Sequence, residues 1–263
     1  MNKISVNQEK SKRTGVKFSF QSMLMLMAAI MMALVTLTAC PVDDENEDDP
    51  DEIENGENGG VAGKRIITQL ITWATGEIAR EEYSYNSDGS LKQIDQYDAA
   101  SRLVQYSIFT NNPDGTHAKY ELYTAVGNTS NLSLNQTCYY SYDANKKPQK
   151  GEVTFHLPEM QNMSMTFVFS FENGRKVREV ISMNDVLVQQ FDFSYDNRGK
   201  RTKTTETHFT QGTRNFTRTY NSDGTLQKVT AEAYSNYQGS EHTQTFTWEN
   251  GKTTVNYDDY DVY

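Results

Sequence analysis

The stretch YNSDGSL at residues 85–91 returns as YNSDGTL at residues 220–226. In such a phrase Asn, Ser and Asp fit a type I turn. The glycine fits the left-handed position after it, which is the three-residue hairpin loop with a bulge. Asn112-Pro113-Asp114-Gly115 is a variant in which proline presets φ at the second turn position. The same grammar recurs as YSYDANKK (140–147), FSFENGRK (169–176), FSYDNRGK (193–200) and FTWENGKT (246–253). The turn glycines are Gly89, Gly115, Gly174, Gly199, Gly224 and Gly251, with steps of 26, 59, 25, 25 and 27 residues. The long step holds two units, because Asn145-Lys146 stands where its middle glycine would be. A period of about 25 to 30 residues marks a repeat architecture.

Each unit reads as two strands. Phe167, Phe169 and Phe171 share one face, as do Phe191, Phe193 and Tyr195, then Tyr83 and Tyr85, then Phe246 and Trp248. Mostly polar residues lie between them, and period two with aromatics on one side is a half-buried strand. A second set of reversals separates the units, at Thr75-Gly76, 99–101, 127–131, 160–162, Asn184-Asp185, 211–213 and 238–240. No stretch after residue 60 has helical periodicity, and five prolines in 263 residues interrupt few strands. The sequence therefore predicts an all-β fold: a single antiparallel meander of about 14 strands. It is strongly curved, as an open half-barrel or a flattened barrel or sandwich. A wide closed barrel leaves a lumen, and no helix is present to plug one.

The first forty residues stand outside that fold. Lys3, Lys10, Lys12, Arg13 and Lys17 precede an apolar run from Met23 to Leu37, too short to span a bilayer. Leu37-Thr38-Ala39-Cys40 follows. Residues 41–60 then carry ten acids and no base, which accounts for the formal net charge of −10. So polar a segment cannot offset its ordering entropy and reads as a disordered tether. The remaining body is near balance, with 24 acids and 20 bases. That excludes a basic footprint for nucleic acid.

Leu37-Thr38-Ala39-Cys40 resembles the lipobox of bacterial lipoproteins. The acidic run after it resembles the export signal of Bacteroidota surface lipoproteins. The repeated Tyr-x-Tyr-Asp/Asn-x-x-Gly-x-Leu resembles the YD repeat of RHS and teneurin shell proteins, from about Arg65 to the end. It is closer in scale to small Bacteroidota lipoproteins that carry such hairpins. These resemblances imply a signal peptide over residues 1–39, a lipidated Cys40 heading a tether over 40–62, and a repeat domain over 63–263. They place the chain at the outer membrane, exposed at the cell surface or alternatively facing the periplasm. The few units, and the lack of a long variable C-terminal region, speak against a toxin-encapsulating shell.

With Cys40 lipidated, Cys138 stands alone in QTCYYSY, where a buried inert thiol is the plain reading. His117, His156, His208 and His242 are scattered, with no metal spacing. Glu81 and Glu82 are adjacent on a strand and point to opposite faces. No cofactor, metal or catalytic group is called for. The expected role is a non-catalytic binding or adhesion module for a glycan or protein ligand. The alternatives are a carrier of a lipid or other apolar ligand and a structural subunit of an outer-membrane complex. Trp73 and Trp248 are the candidate ligand-binding rings. The C-terminal Tyr257–Tyr263, aromatic and acidic together, reads as an edge strand blunted by charge, or alternatively as a recognition tail.

Overall fold

The computed structural model describes residues 63–125 and 131–251. The lipobox, Cys40, the acidic tether and Tyr257–Tyr263 lie outside the described residues. The strands are β1 (Lys64–Trp73), β2 (Ile78–Tyr85), β3 (Leu91–Tyr97), β4 (Leu103–Asn111), β5 (His117–Ala125), β6 (Leu132–Tyr142) and β7 (Pro148–Phe155). After a 3-10 turn at Pro158–Met160 come β8 (Ser164–Glu172), β9 (Arg175–Met183), β10 (Val186–Tyr195), β11 (Arg201–His208), β12 (Gly212–Tyr220), β13 (Leu226–Ala231) and β14 (His242–Asn250). Each pairs antiparallel with its sequence neighbours, and β14 pairs with β1 to close a 14-strand barrel.

Closure corrects the open half-barrel and the sandwich. The β1–β14 ladder runs from Lys64↔Asn250 to Trp73↔His242, so neither terminal strand is left as an edge. The objection to closure was an unfilled lumen. Long inward side chains remove it: Tyr120, Gln136, Phe191, Arg201, Phe216 and Gln244 are all fully buried.

One end of the barrel carries the repeated tips. At the first, Asn86 N donates to Ser90 O (2.8 Å), Gly89 N donates to Asn86 O (3.0 Å), and Gly89 has φ 90°. Asp88 Oδ1 accepts from the Ser90 amide (2.9 Å) and hydroxyl (2.6 Å), and Asn86 Nδ2 donates to the same hydroxyl (2.9 Å). Asn112, Asp114 and Thr116 repeat this net, as do Asn221, Asp223 and Thr225. The phrase N-x-D-G-[ST] is thus the minimum set that ties a five-residue loop to itself. Gly251 departs from the expected set. It follows β14, its φ lies outside the left-handed region, and its amide donates to Gly63 O (2.9 Å). The described chain therefore enters and leaves side by side at the tip end.

A second irregularity sits just past each tip. Tyr85 faces Leu91 while Ser84 faces Gln93, so β3 carries one extra residue. The same shift recurs at Asn111/His117, Phe171/Lys176, Tyr195/Arg201 and Tyr220/Leu226. This bulge turns residues three apart to the same side. Leu91 and Ile94, His117 and Tyr120, Lys176 and Glu179, and Leu226 and Val229 are all buried.

At all these turns but the one after Phe171, the residue near the end of the incoming strand latches its hairpin to the preceding one. Tyr85, Tyr142, Tyr195 and Tyr220 donate their hydroxyls to the carbonyls of Ile66, His117, Lys176 and Arg201, at 2.7 to 2.8 Å. Asn111 Nδ2 does so to Leu91 O and Trp248 Nε1 to Leu226 O, both at 2.9 Å. A half-buried phenol needs an acceptor, and this one recurs with the repeat. Removing one hydroxyl, in Tyr220→Phe, is expected to cost about 1 kcal/mol. Urea unfolding checks this; an unchanged midpoint would mean that the latch carries no stability.

Candidate functional site

The barrel has three chemically distinct regions: a polar interior, an outer wall, and a mouth opposite the tips. Inward alternation brings Gln69, Glu81, Gln96 and Gln105 onto four adjacent strands, each facing the next across the ladder. Glu81 Oε2 accepts from the Tyr83 hydroxyl (3.0 Å) and Oε1 from Gln96 Nε2 (3.3 Å). Burial pushes its carboxyl up to about 7, against the Tyr83 hydrogen bond, which lowers it. Glu82 points outward, as the sequence requires. Lys176 and Glu179 pair at 3.3 Å, with Lys176 Nζ 4.9 Å from the Phe193 ring centroid.

Toward the mouth, Glu206 collects three donors. Tyr234 and Gln189 donate to Oε1, and Arg214 Nε donates to Oε2 at 2.5 Å. The Arg214 guanidinium lies 4.1 Å from the Tyr234 ring centroid and 4.6 Å from that of Phe216. His208 packs edge-on against Tyr234, and burial, the largest cause, lowers its pKa. All three donors converge on the one carboxylate. Their arrangement ties the segment 232–241 across the mouth rather than presenting a reactive pair.

Cys138 is buried, and burial pushes its thiol up to about 12, which makes it an inert thiol. His117 is also buried, with its pKa lowered to about 3. Among the described residues, no three His, Cys, Asp or Glu side chains come together as a metal site.

Of the two candidate rings, Trp248 spends its N–H on Leu226 O and packs on Phe216, Leu226, Val229 and Ala231. Trp73, at the mouth end of β1, lies 6.2 Å from the His242 ring. The structure does not bring the two tryptophans together. It gathers tyrosines on the outer wall instead. Tyr97 on β3, Tyr106 on β4 and Tyr123 on β5 point outward on adjacent strands, while Tyr139 points outward farther along β6, opposite Lys119. Tyr106 and Tyr123 are direct cross-strand partners, with rings stacked at 4.5 Å and 12°. Arg80 lies 4.7 Å over Tyr97 and pairs with Glu82 at 3.2 Å. Gln93 Nε2 donates to Asp95 Oδ1 (2.6 Å), and Asp95 faces both Glu82 and Tyr106 across the ladder. Desolvation first, then the neighbouring acids, raises the pKa of Tyr97. Tyr97 therefore remains a phenol that can donate.

The sequence carried a signal for this set. Tyr106 and Phe109 are three apart within one strand, as are Tyr120 and Tyr123, and Tyr139 and Tyr140 are adjacent. Odd spacing in a regular strand forces one member of each pair outward.

Elsewhere the outer wall is charged and hydroxylated. Lys150 pairs with Glu152, Arg178 with Asp192, and threonines such as Thr205, Thr217, Thr230 and Thr245 cover β11 to β14. A barrel that spans a bilayer carries an apolar band there; β11 to β14 present these threonines instead.

No family model matches the chain, and no curated protein matches it. Among solved structures, it is similar to a porin-like protein from Bacteroides uniformis at 13% identity and a TM-score of 0.43, with 72% of this chain and 98% of that one covered. It is also similar to TcdB2-TccC3 without its hypervariable C-terminal region, at 12% identity and a TM-score of 0.29. There 63% of this chain is covered, and only 10% of the other. A DUF3836 family protein from Bacteroides vulgatus is 14% identical at a TM-score of 0.16, over 46% of this chain and 89% of that one. Scores this low assign no role.

Proposed function

We propose that this chain is a membrane-tethered, non-catalytic binding module whose outer tyrosine wall takes a saccharide. The observation that carries the reading is the row Tyr97, Tyr106, Tyr123 on β3 to β5, framed by Arg80, Glu82, Gln93 and Asp95. A pyranose presents one apolar C–H face and a belt of hydroxyls that both donate and accept. Aromatic rings serve the first, and planar carboxylate, amide and guanidinium groups serve the second. The interior is less suited to a ligand. Long side chains such as Tyr120, Phe191, Arg201 and Phe216 fill it, which disfavours carriage of a lipid. Lipidation of Cys40 supplies the tether, and the polar outer wall favours an anchored barrel over a spanning one.

An array of immobilised saccharides tests this. The wild-type chain is expected to retain a defined subset. Tyr106→Ala with Tyr123→Ala is expected to weaken that binding by about tenfold or more while leaving the barrel folded, because both rings point outward. Binding by intact cells is expected to need Cys40 as well. No retained saccharide, or retention that ignores the tyrosines, would refute the proposal.

A further inference from the structure

The mouth end carries a feature that neither the tyrosine wall nor the interior uses. Nine large apolar side chains are exposed among the described residues, and six of them ring this end: Ile78, Leu103, Val186, Leu187, Phe209 and Tyr237. Single exposed apolar residues are ordinary. These six fall on or beside five turns that follow one another around the closed sheet, at 98–102, 74–77, 232–241, 209–211 and 184–185. Phe209 is the most exposed, at 75%, followed by Val186 at 58% and Tyr237 at 54%. Phe209 is also held in place. Its amide donates to Val188 O at 3.0 Å, so the ring is presented from a pinned backbone. Exposed apolar side chains on neighbouring turns, around a rigid anchor, are a usual form of an interaction surface.

The charges on the same turns select the occupant. Glu77, Asp98, Asp185, Glu232 and Glu241 stand on them, against a single base, Arg102, whose guanidinium lies 2.6 Å from Asp98. The arc is therefore apolar and acidic together. A second copy would bring acid against acid. An anionic lipid surface would be repelled for the same reason. The acidic tether carries the wrong sign, and it joins the barrel at Gly63, at the opposite end. A basic protein segment with apolar side chains meets both requirements.

We propose that the mouth arc is a docking surface for a basic protein partner, with Phe209 as its main anchor. It is separate from the tyrosine wall and does not depend on that wall binding a saccharide.

The test selects a random peptide library displayed on phage against the full chain in detergent. Enriched peptides are expected to be basic and to carry aromatic or aliphatic residues. Their binding is expected to weaken by about tenfold or more in Phe209→Ser and to fall again in Glu77→Lys with Asp185→Lys. Tyr106→Ala should leave it unchanged. Phe209 is exposed, so its substitution spares the fold, and a far-ultraviolet spectrum of the variant confirms it. Several outcomes would overturn the proposal. Enrichment of neutral or acidic peptides would do so, as would indifference to Phe209→Ser or no enrichment at all. Two further results would reassign the arc: binding to phosphatidylglycerol vesicles that Phe209→Ser abolishes, or self-association with the same dependence.

Discussion

Glu206→Ala is expected to lower the stability of the barrel by about 3 to 5 kcal/mol. The Glu206 side chain is fully buried and that of Arg214 is 11% exposed, so the pair is shielded from water. Removing the carboxylate leaves a guanidinium between the Phe216 and Tyr234 rings without its counter-charge. It also strands the Tyr234 hydroxyl and the Gln189 amide, both of which donate to Glu206. The cost is that of the uncompensated charge and the orphaned donors, not the worth of an ion pair. Arg214→Met added to Glu206→Leu should therefore recover the share owed to the stranded charge, and the orphaned donors keep theirs. Urea unfolding of the two variants decides it. A loss under about 1 kcal/mol for Glu206→Ala would show that the mouth cluster relaxes into water and does not tie down residues 232–241.

The second large effect is a dependence on pH. Burial lifts the Glu81 carboxyl to about 7 in the folded barrel, from its ordinary 4.5 in the unfolded chain. Between those values the folded state binds the proton that the unfolded state has released. Stability from this group is therefore fully present below about pH 4.5 and is lost as pH rises through 7. The full difference is about 3 kcal/mol. Glu81→Gln keeps the shape and cannot ionise. The gap between wild type and Glu81→Gln is expected to open by about that amount from pH 4.5 to pH 8, with wild type the weaker at high pH. Groups common to both proteins, including His208, cancel in the comparison. Equal pH profiles would mean that Glu81 is solvated in the fold.

Local chemistry made much of the fold legible. Asn, Asp and Gly at the tips each meet a backbone requirement within five residues. Inward aromatics such as Phe191 and Phe193 follow from period two. The choice between the open and closed forms was not legible, because the pairing of Lys64 with Asn250 joins residues at opposite ends of the body, and loop-closure cost has no local signature. The bulge after each tip was also hidden. It makes Lys176 and Glu179 inward neighbours although alternation assigns them to opposite faces. The mouth cluster required the register of β10, β11 and β12 and the reach of Tyr234 from a loop. Trp248 stood out by size, yet its indole is the last of the latches. The outward tyrosines were readable from odd spacing but were masked by the stronger inward pattern.

The claim that the outer wall is the contact surface is tested most directly by ring-labelled tyrosine resonances, recorded as a saccharide retained on the array is added. Tyr97, Tyr106 and Tyr123 are expected to shift together, while the latch tyrosines Tyr85, Tyr142, Tyr195 and Tyr220 stay in place. Shifts confined to the latches or to Tyr237 at the mouth, or no shift at saturating saccharide, would contradict it.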